Sequence, residues 1–319
     1  MRTRLATPES STMRGMSHAQ PAAPPAPRPS PFGAWWLAIR PKTLPAAVAP
    51  VLVGSAVAWR EGGFVLAVAL AAAGVALLLQ IAANLANDYY DFRKGADTGD
   101  RVGPTRVTQG GLISPRSVLA ATVAVLALAV LLGLVLVARG GWPILLLGLA
   151  AVVSAVAYTG GPAPLGYLGL GEVFVFLFFG LAGVAGTAYV QTLRLTPLAV
   201  LASVPIGAIV CGVLVVNNLR DIETDRQAGK RTLAVRMGRS GARWEYAVLL
   251  GVAYAVPVVG TLAGLMPAWT LLAWLTLPVA FDLARRVWRG EGATLNPVLG
   301  ETARLAVLFA IPFSIGMML

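Results

Sequence analysis

Two short stretches carry most of the chemistry this chain can offer. One is NLANDYYDFRKGADTGDR, residues 84–101, which holds Asp88, Asp91, Asp97 and Asp100 directly after some twenty apolar residues. The other is VVNNLRDIETDRQAGKRTLAVRMG, residues 215–238, with Asp221, Glu223 and Asp225. Together they contain half of the 14 acids in the protein. Carboxylates at the end of an apolar helix are costly to desolvate and repel one another, so something positive must compensate them. Spacing narrows the choice. Asn84, Asp88 and Asp91 stand at i, i+4, i+7, and Asn87 and Asp91 at i, i+4. Asn217, Asp221 and Asp225 stand at i, i+4, i+8. Each set falls on one face of a helix. The two sets are about 133 residues apart, like a weak internal repeat.

The only histidine, His18, lies in the N-terminal tail, and the only cysteine, Cys211, lies inside an apolar run. A histidine base, a histidine-held zinc and a cysteine metal site are therefore set aside. Hard oxygen donors alone suit Mg2+. The candidate donors are Asn84, Asn87, Asp88, Asp91, Asp97, Asn217, Asp221 and Asp225, and Asp88, Asp91, Asp221 and Asp225 are the expected catalytic groups. Mg2+ is usually held by one or two carboxylates, with waters and substrate phosphates completing its shell. Two facing clusters can hold two ions around a diphosphate. Arg93, Lys94, Arg226, Lys230 and Arg231 can take its remaining oxygens. The competing reading is two solvated loops of mixed charge. Two loops on one side, each with the same amide-plus-carboxylate spacing, weigh against it. The glycines of RKGADTG and QAGKRT allow tight backbone turns near phosphate.

The elements that must position these groups are membrane helices. The chain is 57% hydrophobic and 12% charged, with mean hydropathy +0.75. That composition excludes an ordinary soluble domain. Long apolar runs without strict alternation mean an all-α polytopic bundle and not a barrel. Nine segments are expected, at roughly 34–59, 64–87, 117–138, 142–160, 168–190, 197–219, 245–265, 268–288 and 298–318. Residues 1–31, containing PAAPPAPRPS, read as a disordered tail before a transmembrane domain at 32–319. The net charge of +11 is explained by basic loops and not by nucleic acid. Arg40, Lys42 and the loops after the second, sixth and eighth segments hold most of the basic residues, whereas the opposite side offers only Arg60, Arg139 and Arg194. By the positive-inside rule the N-terminus and both acidic loops are cytoplasmic, in a cell membrane whose lipid bilayer is itself a partner.

The paired Asn-x-x-x-Asp-x-x-x-Asp pattern at helix ends resembles the UbiA-type intramembrane prenyltransferases. Asn217, Asp221 and Asp225 match it fully. RPKTLPAAVAPVLVGSA (40–56), NLANDYYDFRKGADT (84–98), YTGGPAPLGYLGLGE (158–172) and NNLRDIETDRQAGKRTLAVRMG (217–238) resemble its menaquinone branch, the 1,4-dihydroxy-2-naphthoate polyprenyltransferases. The resemblance covers about residues 35–318. One departure is that Gly95, not Asp, stands eight residues after Asn87, with Asp97 two residues later. The menaquinone branch resembles this form. The resemblance implies a UbiA-like bundle, Mg2+, a polyprenyl diphosphate and 1,4-dihydroxy-2-naphthoate. It further implies transfer of the prenyl group with loss of CO2 and diphosphate, giving demethylmenaquinol.

Other residues have two readings. Arg40 and Lys42 either anchor topology or bind diphosphate or an acceptor carboxylate. Tyr158 and Tyr167 either cap the site across a Gly/Pro-rich turn or sit at the membrane interface. Glu172 is either an acceptor-site acid or a helix-dipole partner. Glu301 and Arg304, at i, i+3, are expected to pair. Gln80, Asp282 and Cys211 read as packing or interface residues. Other acceptors, such as 4-hydroxybenzoate, homogentisate or haem, are the alternative within the enzyme class. The alternatives outside it are a cation transporter and a membrane scaffold. Transporters place ion sites near the midplane on broken helices, and a scaffold leaves the Asn/Asp spacing unexplained.

Overall fold

The structure, a computed structural model, describes residues 29–95, 102–103 and 106–319. Asp97, Asp100 and nearly all of the expected N-terminal tail lie outside the described residues. Within them every regular element is helical. In chain order these are α1 (Pro31–Ile39), α2 (Pro45–Arg60), α3 (Leu66–Arg93), α4 (Pro115–Gly140), α5 (Trp142–Ala157), α6 (Gly171–Thr192), α7 (Pro197–Arg220), α8 (Ile222–Gln227), α9 (Leu233–Leu262), α10 (Leu277–Arg289) and α11 (Leu295–Met318).

Local chemistry explains where these helices start. Ser30, Ser114, Thr196 and Thr232 each accept a hydrogen bond from the backbone N–H three residues on. Pro31, Pro45, Pro115, Pro143 and Pro197 occupy the first turn, where a missing N–H costs nothing.

Six helices are long and apolar enough to cross a bilayer, and a seventh span results if the bent pair α1 and α2 is counted as one. This differs from the expected nine in three places. The first segment is broken, with α1 and its following turn bent by 48° from α2. Arg40 sits at the break with φ 55°, and the proline after it disfavours the helical region. The fourth segment, α5, has only 16 residues, about 24 Å at 1.5 Å per residue against ~30 Å of hydrocarbon. The eighth begins as a tight 3-10 stretch, Ala268–Thr276, before α10.

The bundle is built around α7, in whose most apolar stretch 72% of residues are buried, against 17% for α4. The outer faces of α3 and α4 expose leucines and valines, as lipid-facing helices do. Small residues let the central helices close up. A Cβ on Gly180 would lie 3.0 Å from the Cα of Gly207, and one on Gly316 would lie 1.9 Å from the Trp269 carbonyl oxygen. Residues 176–186 of α6 are wound as a π-helix. The expected Glu301–Arg304 pair is not formed in this way. Glu301 reaches across to Arg286 of α10 instead.

Candidate active site

Both acidic stretches end at the same pole of the bundle. Asn84, Asp88 and Asp91 lie on the last turns of α3, which stays helical to Arg93, so their spacing does place them on one face. In the second stretch α7 stops at Arg220 and α8 starts at Ile222, with Asp221 between them at φ −97°, ψ 12°. The i→i+4 bonds Asp221 N–H to Asn217 carbonyl (3.1 Å) and Asp225 N–H to Asp221 carbonyl (2.8 Å) survive that corner. Loops from other helices meet there. Lys94 Nζ donates to the Thr159 and Gly161 carbonyls at 2.7 and 3.2 Å. The Arg231 backbone N–H donates to the Tyr167 carbonyl at 2.8 Å.

Basic side chains compensate the acids. Asp91, 2% exposed, receives Arg106 Nη2 at 2.5 Å and the Tyr167 hydroxyl at 2.8 Å. Asp88, also 2% exposed, accepts the backbone N–H groups of Val107 and Thr108, both at 3.1 Å. It thereby pins the segment after the acidic loop over the end of α3. Arg220 grips Asp221 with two nitrogens, at 2.8 and 2.5 Å, and also donates to Asn217 Oδ1 (2.8 Å) and Asn296 Oδ1 (3.2 Å). Lys230 Nζ is 3.1 Å from Asp225 and 4.0 Å from Asp91, so it links the two stretches. The Tyr167 ring lies under both Lys94 (5.0 Å) and Lys230 (4.8 Å). Burial raises the Asp225 carboxyl above its usual range, with Lys230 opposing. Burial, then the Asp91 charge, raises the Tyr167 hydroxyl, so it stays protonated as the donor to Asp91. Burial lowers Lys94, with Asp91 opposing.

These groups open on one cavity of about 770 Å³. Its polar end is lined by Asn84, Asn87, Asp88, Asp91, Asn217, Asp221, Asp225, Arg40, Lys42, Lys230, Tyr158 and Tyr167. Its remaining walls are mainly apolar and come chiefly from α1 to α7, with Trp36, Leu134, Leu147, Phe178 and Leu214 among them.

Four expected basic residues are placed elsewhere. Arg93 is exposed and donates to Tyr89. Arg226 pairs with Glu223 at 2.6 Å with 53% of its side chain exposed. Arg231 is exposed and reaches the Tyr167 loop through its backbone. Lys94 fixes the 158–161 turn and does not line the cavity. Glu172 is buried behind the wall, accepting from Asn218 Nδ2 at 2.9 Å. Sequence spacing missed Arg106, Arg220, Asn218 and Asn296. Arg220 and Asn218 were within reach, since both sit inside the second motif. No periodicity links Arg106 to Asp91. Gln80, expected to be a packing residue, lines the cavity and donates to Thr43 at 3.4 Å.

A model of the UbiA prenyltransferase family matches residues 47–310 of the chain. The protein belongs to the UbiA prenyltransferase family. This family member is 43% identical over 282 residues to a 1,4-dihydroxy-2-naphthoate octaprenyltransferase of Mycobacterium tuberculosis, covering 88% of this chain and 95% of that one. It is 40% identical over 293 residues to the Escherichia coli protein of the same name, covering 90% and 95%. Among solved structures, it superposes with a TM-score of 0.65 on a UbiA homolog from Archaeoglobus fulgidus bound to GPP and Mg2+. That match has 18% identity and covers 89% of this chain and 99% of the other. The UbiA fold is thus shared well beyond the range of sequence similarity.

Proposed function

We propose that this UbiA family member transfers a polyprenyl group from its diphosphate to 1,4-dihydroxy-2-naphthoate, releasing diphosphate and CO2 and yielding demethylmenaquinol. The observation that carries this reading is the pair of amide-plus-carboxylate helix ends facing into the polar end of one otherwise apolar cavity. The naphthoate acceptor is taken from the relatives at 40% and 43% identity.

The donor set suits Mg2+. Asn84, Asn87, Asp88 and Asp91 on one side and Asn217, Asp221 and Asp225 on the other would hold it. Mg2+ is usually held by one or two carboxylates together with waters and substrate phosphates. Asp91 and Asp225 already share Lys230 as a common counter-charge. When bound, Mg2+ stabilises the charge that builds on the departing diphosphate.

The chain's own residues do the rest. Arg40, Lys42 and Lys230 line the polar end and bind phosphate oxygens. Tyr167 holds Asp91 in place through its hydroxyl. The apolar walls take the prenyl tail and keep water from the allylic cation formed as the C–O bond breaks. A ring carbon of the naphthoate attacks that cation and forms the new C–C bond. Departure of CO2 returns its bonding pair to the ring, which regains aromaticity. We further read α1 with α2, α5, and the 268–289 segment as the three passages that complete nine. The pole with the aspartates then faces the cytoplasm.

The test is purified protein in detergent with a polyprenyl diphosphate and 1,4-dihydroxy-2-naphthoate, with Mg2+ or with EDTA. A prenylated, decarboxylated naphthoquinol formed only with Mg2+ is the expected result. Transfer to 4-hydroxybenzoate or homogentisate instead would overturn the choice of acceptor and keep the metal site. No transfer to any acceptor would overturn the reaction.

A further inference from the structure

At the cavity wall lies a buried polar pair, Asn218 in the wall and Glu172 behind it, for which the reaction above has no use. Glu172 on α6 is 8% exposed and Asn218 on α7 is 6% exposed. Glu172 Oε1 accepts Asn218 Nδ2 at 2.9 Å, and Glu172 Oε2 is buried without a hydrogen-bond partner. The pair is clamped in place. Cys211 Sγ contacts the Glu172 carbonyl at 3.3 Å. A Cβ on Gly171 would come within 2.8 Å of the Tyr158 hydroxyl and 3.0 Å of Leu214.

The bond from Nδ2 to Glu172 Oε1 fixes which way the Asn218 amide points. With Nδ2 committed to Glu172, Oδ1 is the polar atom the amide has left to offer, and Asn218 forms part of the cavity wall beside Tyr158, Phe174 and Leu214. An amide oxygen in that place is a hydrogen-bond acceptor set among aromatic and aliphatic walls, next to the motif at Asn217. It matches the hydroxyl of a hydroxyaromatic ring. As such a ring attacks a cation, its hydroxyl becomes a stronger donor. An oxygen aimed at it then stabilises the transition state more than the ground state.

We propose that Asn218 Oδ1 receives a hydroxyl of the aromatic acceptor, and that Glu172 is the positioning residue that holds the amide in that orientation. This inference rests on the hydroxynaphthoate reading given above.

The experiment compares 1,4-dihydroxy-2-naphthoate with its two mono-O-methyl ethers, which keep an electron-rich ring but each lose one donor. Wild-type enzyme is expected to use one of the two ethers at least about a hundredfold more slowly than the parent, because the site's acceptor is then unpaired. Asn218→Ala is expected to lose about a hundredfold in kcat with the parent and to stop discriminating against that ether. Glu172→Gln, whose amide can either accept or donate, is expected to fall between the two. KM for the polyprenyl diphosphate stays at the wild-type value in both variants. Equal use of both ethers by wild type overturns the proposal without any variant. So do equal losses on all three acceptors in the variants, or a raised KM for the diphosphate. Wild-type activity with any of these results sinks this role alone, whereas wild-type failure to prenylate the naphthoate sinks the proposed reaction as well.

Discussion

Lys230 joins the two acidic stretches. It stands 3.1 Å from Asp225 and 4.0 Å from Asp91, and its ammonium lies over the Tyr167 ring. Replacing either aspartate removes one of the two charges that Lys230 bridges. Asp91→Asn and Asp225→Asn are each expected to lower kcat by about 10²–10³ while the protein still purifies as a folded species. Near-normal turnover of both at limiting Mg2+ would defeat the metal-site assignment. The basic residues divide by burial. Arg106 is 7% exposed and bonded to buried Asp91, so Arg106→Ala leaves a buried carboxylate short of its counter-charge. A loss of about 3–5 kcal/mol is the usual scale for breaking such a pair, and a lowered Tm in detergent would report it. Arg93→Ala and Arg226→Ala remove exposed groups away from the cavity wall. Their turnover should stay within about twofold of wild type, with little change in Tm.

At the scale of elements, close backbone approaches decide which helices can shift. Gly316 of α11 has no room for a methyl group, since it would overlap the Trp269 carbonyl. Gly148 of α5 faces the cavity, and a Cβ there would meet no side chain or neighbouring helix within 4 Å. Gly316→Ala is therefore expected to destabilise by about 1–3 kcal/mol, the usual cost of overpacking. Gly148→Ala should be neutral or slightly stabilising, because alanine is the better helix former. Paired thermal-shift curves in one detergent would separate the two. The second acidic motif is itself an element-scale result. Its i, i+4, i+8 spacing suggested one continuous helix, yet Asp221 turns a corner between α7 and α8 while keeping both i→i+4 bonds. The corner lets Arg220, its neighbour in sequence, close back on Asp221 and Asn217.

For the whole molecule, the arrangement of loops separates two poles. Lys94, Tyr167, Arg231 and Asn296 tie the acidic pole together through bonds to distant loops. At the other pole, Arg139 donates to the Val190 and Gln191 carbonyls and Thr196 donates to Glu61. Arg116 and Arg194 are both exposed, one near each pole. In a variant lacking Cys211, Arg116→Cys should react with a membrane-impermeant thiol reagent only from the cytoplasmic side, and Arg194→Cys only from the opposite side. Labelling of both from one side would overturn the orientation. Chelation acts at this scale too. With EDTA, transfer should stop while the α-helical signal is retained, because the acids remain paired with Arg106, Arg220 and Lys230.

The sequence by itself determined the all-helical membrane class and six of the nine expected spans. Hydropathy and i, i+4 spacing are local properties that the backbone must obey wherever it lies. It also marked Tyr167, through its Gly/Pro-rich turn, as a candidate cap. It did not determine which charges meet. Arg93 and Arg106 look alike in sequence, yet one is exposed and the other lies buried against Asp91. Nor did spacing along one helix show Asn218 facing Glu172 across two helices, or the break at Arg40. Pairing between groups far apart in the chain depends on how helices pack and loops close. Only the tertiary structure decided that, because the cost of burying a charge depends on its neighbours in space and not on its neighbours in sequence.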